Sequence, residues 1–173
     1  MSERSLTVGE IMRYANHDFL NHLQLISMHL QMGNIEAAHE RIEEFQQQSQ
    51  QISKLSKVQL PKTVGWLLTA KWRFPALQLT IVNEGSSEAD TTFDELLASY
   101  LEHTVIHVYN ALDPFVEQSC VVTLTNDPNF RLIIELKGKW DVTESLQYAK
   151  SEVISINIVE QHETTLKVIF IKE

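Results

Sequence analysis

One cysteine, Cys120, in 173 residues leaves no partner for an internal disulfide, which fits a reducing compartment. Its neighbours in Cys120-Val121-Val122 mark it as a small apolar residue of a buried strand. Glycine is scarce as well, with five in the chain. Loops that wrap phosphates need glycine, because backbone amides must approach the ligand and some positions require positive φ. No apolar run approaches a membrane span, and the opening Met1-Ser2-Glu3-Arg4-Ser5 has no signal-peptide core. A cytoplasmic location without membrane contact is the expectation. Basic residues are outnumbered 14 to 23, a net charge of −9, and they form no stripe, which argues against nucleic-acid binding.

The acidity is uneven. Residues 1–58 carry 5 basic and 7 acidic side chains, while the rest of the chain carries 9 and 16. The length suits one ordinary domain or two small ones, and 43% hydrophobic with 21% charged residues suits a globular protein. Two segments emerge: a helical hairpin over 1–60 and an α+β domain over 61–173.

Thr7-Val8-Gly9-Glu10 matches the capping box and starts a helix near residue 7. That helix should end near Met32, where Gly33-Asn34 offers a stop and a new N-cap. Met12, Asn16, Phe19, Leu23, Ile26 and Leu30 recur at 4,3,4,3,4, within about 80° of one another on a helical wheel. Ile35, Ala38, Ile42, Phe45, Ser49 and Ile52 give the second helix a similar stripe, bounded by Pro61. A two-helix unit this small seldom folds alone, so pairing with a second copy into a four-helix bundle is expected. Asn16 would fix register inside that seam or sit at an exposed bundle end; the sequence admits both.

Beyond the hairpin, residues 62–78 read as a helix carrying Trp66, Trp72 and Phe74, taken as core. Strands follow at 77–82, 119–125, 130–137, 152–160 and 164–171, with helices at 94–112 and 142–150. Helices beside a mostly antiparallel sheet make an α+β domain, an α/β sandwich of helix layer on sheet.

His17 is the residue out of place. It lies on the side of the first helix opposite the apolar stripe, with Glu10, Tyr14, Asn21, Gln24 and Met28. An imidazole held there meets solvent and partners rather than core. Near neutral pH an unperturbed imidazole is mostly unprotonated and nucleophilic. Arg13, at i−4, is the nearest permanent cation. His22 and His29 fall at the stripe's boundary, and His39 and His162 have no evident partners. His103 and His107, at i and i+4, offer a pair of ligands without a third, which is weak evidence for a metal site.

The run His17-Asp18-Phe19-Leu20-Asn21-His22-Leu23-Gln24-Leu25-Ile26 resembles the dimerisation and phosphoacceptor segment of two-component histidine kinases, and within that group the Spo0B-type sporulation phosphotransferases. The second segment resembles a degenerate kinase ATPase domain. Ile106-His107-Val108-Tyr109-Asn110-Ala111 keeps Asn110-Ala111 of the kinase Asn-x-x-x-Asn-Ala box but has Ile106 at the first asparagine. Lys137-Gly138-Lys139-Trp140-Asp141 stands where Asp-x-Gly-x-Gly should follow a strand, and the glycine-rich lid is missing.

This resemblance implies a phosphorelay phosphotransferase with no ATP-dependent kinase activity. His17 would accept a phosphoryl group from a single-domain response regulator and pass it to a transcription-factor regulator that controls sporulation. Asn21 would orient the ring or contact the phosphoryl group, and Asp18 would hold the other ring nitrogen or make a surface pair. Arg13, Tyr14, Leu20, Gln24, Leu25 and Met28 would meet the receiver domain. The chain itself would bind no cofactor, and Mg²⁺ would come with the partner. Two rivals stand beside this reading: a divergent histidine kinase that binds ATP, and a non-catalytic dimerisation and docking module.

Overall fold

The structure is a computed structural model and describes residues 6–84, 93–126, 129–141 and 145–173. The chain divides into two compact units, one ending at Ser53 and the other beginning at Lys54.

The first unit is two helices, α1 (Val8–Gln31) and α2 (Ile35–Leu55), whose last two residues fall beyond the division. The Thr7–Glu10 capping box is closed in both directions: the Glu10 amide donates to Thr7 Oγ1 at 3.2 Å, and the Thr7 amide donates to Glu10 Oε2 at 2.9 Å. At the other end Gly33 takes φ +72°, a left-handed conformation that side chains resist, and turns the chain back. Asn34 Oδ1 then accepts the Ala37 amide at 3.2 Å and opens α2.

No residue of α1, all of them among those described, is buried. The apolar stripe expected to form a seam lies largely open, with Met12 65%, Leu23 47% and Leu30 49% exposed. Asn16 is exposed too, and only Ile26 of the stripe is half-buried. Within one chain the ring contacts of α1 with α2 fall at the edge of that stripe, on Phe19 and the boundary residue His22. There Phe45 sits 6.0 Å from Phe19 and 4.8 Å from His22, ring centre to ring centre.

Among the described residues, the second unit is a five-stranded sheet under two helices, an α+β architecture. In chain order it holds α3 (Pro61–Arg73), β1 (Leu77–Asn83), α4 (Asp94–Tyr109), β2 (Gln118–Thr125), β3 (Arg131–Lys137), β4 (Ile154–Gln161) and β5 (Thr165–Lys172). The strand order is β1-β2-β3-β5-β4. β1 and β2 pair in parallel, and α4 lies in the crossover that a parallel pair requires. The other pairings are antiparallel, with Val122 opposite Ile134 and Ile134 opposite Val168 at the centre of the core.

Alternation along each strand sends Cys120, Val122 and Leu124, Leu132, Ile134 and Leu136, and Leu166, Val168 and Phe170 to one buried face. Helices α3 and α4 close that face with Trp66, Leu67, Ala70, Leu97, Leu101 and Val105. Trp72, expected in the core, is only partly buried, and Lys71 Nζ lies 4.9 Å from its ring centre. Cys120 is fully buried, and burial pushes its thiol up to about 12. The folded protein should therefore leave a thiol-reactive disulfide reagent unreacted, and guanidinium should expose one titratable thiol per chain.

Two helix ends and one segment depart from the sequence reading. Helix α3 stops at Arg73 because the chain must extend into β1, and α4 stops at Tyr109, with Asn110 as its C-cap. The helix expected over 142–150 does not form in its described part, since 145–150 is irregular. The reason is non-local. Tyr100 donates its hydroxyl to the Ala149 carbonyl at 2.8 Å, and His103 Nε2–H donates to the Gln147 carbonyl at 2.9 Å. Those carbonyls are committed to α4 side chains rather than to a helical ladder. Tyr148 completes the strap, its hydroxyl 2.6 Å from Thr104 Oγ1, and burial raises its pKa.

Helix α3 begins with Pro61 and has no side-chain cap of its own. Asp94, the first residue of α4, supplies one: its carboxylate accepts the Lys62 amide at 2.7 Å and the Thr63 amide at 2.8 Å. Asp94 is itself buried. Changing Asp94 to Ala should destabilise this unit by about 2 kcal/mol, seen as a lower urea midpoint at unchanged slope.

Candidate functional site

His17 sits ten residues into α1, and its side chain is 69% exposed. Two neighbours address the same ring nitrogen. Asn21 Nδ2, one turn on, lies 3.2 Å from His17 Nδ1, and Asp18 Oδ1 lies 3.6 Å from it. With Asn21 Nδ2–H donating, Nδ1 accepts and the ring proton sits on Nε2. Rotating the carboxamide by half a turn presents Oδ1 instead, which would hold the proton on Nδ1 beside Asp18 and free the Nε2 lone pair toward solvent. The orientation of the Asn21 carboxamide thus selects which ring nitrogen carries the proton.

The other residues expected at this site lie along the same helix without converging on the ring. Arg13 places its guanidinium 5.8 Å from the Tyr14 ring centre, a cation–π pair beside the histidine. Tyr14 is half-buried. Leu20, Gln24, Leu25 and Met28 are exposed, and together they form a surface with apolar contact area on the His17 side.

Sequence reasoning missed the support beneath this turn. Phe45 of α2 packs its ring at a tilt against both His22 and Phe19, holding the stretch 19–22 that immediately follows His17 and Asp18. Phe45 was legible as a stripe residue of α2, but nothing in the spacing singled out His22 as its partner.

Elsewhere, His103 and His107 have ring centres 6.5 Å apart, yet His103 Nε2 is engaged by the Gln147 carbonyl. Among the described residues no group of three His, Cys, Asp or Glu side chains is placed to hold a metal. At the position of the degenerate ATPase motif, Gly138 serves the fold: a Cβ there would collide with the carboxamide of Gln118. That carboxamide receives the Lys139 amide at 3.0 Å and donates to the Asp113 carbonyl at 2.9 Å. Asn110 caps α4, its amide 3.3 Å from the Ile106 carbonyl. Buried Glu102 accepts from Trp66 Nε1 and pairs with Arg73, binding α3 to α4.

Residues 1–58 match the family model described as the sensor kinase SpoOB-type alpha-helical domain, which spans α1 and α2. The match covers the helical hairpin, the first third of the chain, which therefore resembles a Spo0B-type alpha-helical domain. The chain is 28% identical over 140 residues to sporulation initiation phosphotransferase B of Bacillus subtilis (strain 168), an alignment covering 79% of this chain and 72% of that protein. Among solved structures, the blue-light activated histidine kinase of Erythrobacter litoralis EL346 superposes with a TM-score of 0.42 at 10% identity. That match covers 99% of this chain, which spans 62% of the kinase's length. No helix among the described residues is long and apolar enough to cross a membrane.

Proposed function

We propose that this protein is a histidine phosphotransferase of a phosphorelay, with His17 as the residue that carries the phosphoryl group. The observation that carries this reading is the exposed His17 ring with Asn21 and Asp18 both at Nδ1, on the first helix of a Spo0B-type domain. The name of the Bacillus relative supports the same reading.

In the forward step, the His17 Nε2 lone pair attacks the phosphorus of a phosphoaspartate on a single-domain response regulator. The new P–N bond forms as the P–O bond to the aspartate breaks, and the aspartate leaves as a carboxylate. With the Asn21 carboxamide rotated by half a turn from the orientation described above, its Oδ1 and Asp18 hold the Nδ1 proton, free the Nε2 lone pair and stabilise the positive charge that the ring gains. The second step reverses this chemistry on the aspartate of a transcription-factor regulator. Phosphoryl transfer of this kind depends on in-line positioning and charge neutralisation. The helix supplies the position. Arg13 supplies one cation, and Mg²⁺ would arrive with the receiver domain.

The exposed stripe of Met12, Phe19, Leu23 and Leu30 lies on another face of α1. It pairs with a second copy to make a four-helix bundle, leaving both His17 rings outside. The site of action is the cytoplasm. No nucleotide enters the scheme: the strap over α4 and the commitment of Gly138 to Gln118 support a structural role for the second unit.

The test offers the purified protein a radiolabelled, phosphorylated receiver domain with Mg²⁺, beside a parallel incubation with labelled ATP. Acid-labile, base-stable label from the receiver and none from ATP is the expected result. Label from ATP would replace this reading with a kinase, and label from neither would favour a docking module.

A further inference from the structure

Met28 lies eleven residues beyond His17, three helical turns and about 20° round, so the two side chains face the same way. It is 45% exposed, and Met32 at the end of the helix is 64% exposed. Leu25, also exposed, lies between Met28 and the Asn21–His17 pair and makes the surface continuous. A thioether in this position contributes flexible, polarisable contact area. It is also open to two-electron oxidants, and its sulfoxide is a polar, chiral group that apolar contacts reject.

We infer that Met28 is a redox modification site on the His17 face: oxidation by hydrogen peroxide weakens docking of the receiver domain, and reduction restores it. This rests on the phosphotransferase reading above. The sulfur lone pair attacks one peroxide oxygen and the O–O bond breaks. Sulfur gains that oxygen as the sulfoxide, losing two electrons, and the second oxygen leaves as water with both peroxide protons. Cys120 does not compete, since it is fully buried and its thiol is pushed up to about 12, leaving almost no thiolate. A standard interface covers about 800 Å² on each partner, a patch roughly 30 Å across. Met28 stands about 16 Å from His17 along the helix axis, within one such patch.

The experiment treats the full chain with hydrogen peroxide, removes the excess with catalase, and then adds the phosphorylated receiver. Mass spectrometry locates each sulfoxide, and single-turnover transfer is compared with the same protein left untreated. Sulfoxide at Met28 should slow transfer about fivefold, and methionine sulfoxide reductases should restore the rate. The Met28→Leu protein should keep its own untreated rate after peroxide, whereas Met32→Leu should lose as much as the parent. Full oxidation of Met28 at unchanged rate would overturn the inference, as would equal loss in the Met28→Leu protein. The untreated sample reports separately on the underlying reading: if it accepts no label, phosphotransfer fails and this inference falls with it.

Discussion

A His17→Gln protein should lose phosphoryl acceptance by about three orders of magnitude or more, because glutamine has no nucleophilic lone pair to replace the imidazole nitrogen. Its fold should be unchanged, since His17 is largely solvent-exposed and its contacts are confined to α1. Docking provides the control. If the receiver is bound through Tyr14, Leu20, Leu25 and Met28, its affinity for the His17→Gln protein should stay within about threefold of the parent, because those contacts are untouched. Single-turnover transfer and a binding titration on the same two proteins separate chemistry from recognition. Unaltered transfer in the variant would remove His17 from the reaction altogether. Loss of both activities with intact circular dichroism would instead make His17 a docking residue.

The second large effect concerns self-association. Leu23 is the middle of the open stripe on α1, flanked one turn away by Phe19 and Ile26. Converting Leu23 to Glu puts one carboxylate from each chain into a bundle core of apolar side chains. Burying an unpaired charge costs several kcal/mol, and every 1.4 kcal/mol is about tenfold in a dissociation constant. Dimer affinity should fall by about a hundredfold or more, read by sedimentation equilibrium. The control is Leu25→Glu on the His17 side, which should leave the dimer intact. A monomeric parent protein, or equal weakening by both substitutions, would dismiss the bundle.

Much of this architecture was written locally. Thr7 and Glu10 started α1, Gly33 and Asn34 turned it, and strict alternation along 119–125 and 130–137 gave two core strands their faces. The proximity of Asp18 and Asn21 to His17 follows from helix geometry alone, as positions i+1 and i+4. What the sequence withheld was non-local. The 145–150 segment looks helical in isolation, yet its carbonyls bond to Tyr100 and His103, more than forty residues earlier in the chain. His22 looked like a boundary residue until Phe45 of the second helix was placed over it. Trp72 carried the hydrophobicity of a core residue but fell on a side of α3 that is only partly covered.

The carboxylate that Asp94 lends to α3 also ties the stability of that helix to the position of another. Helix α3 has thirteen residues, opens on Pro61 and has no side-chain cap of its own, so a peptide of that length would nucleate poorly in water. Its N-terminal amides are satisfied only when α4, thirty-two residues downstream, has begun at the right place. The two helices are therefore one cooperative unit. The entropy of closing the long loop between them thus falls on the pair, and a change that displaces the start of α4 should weaken both.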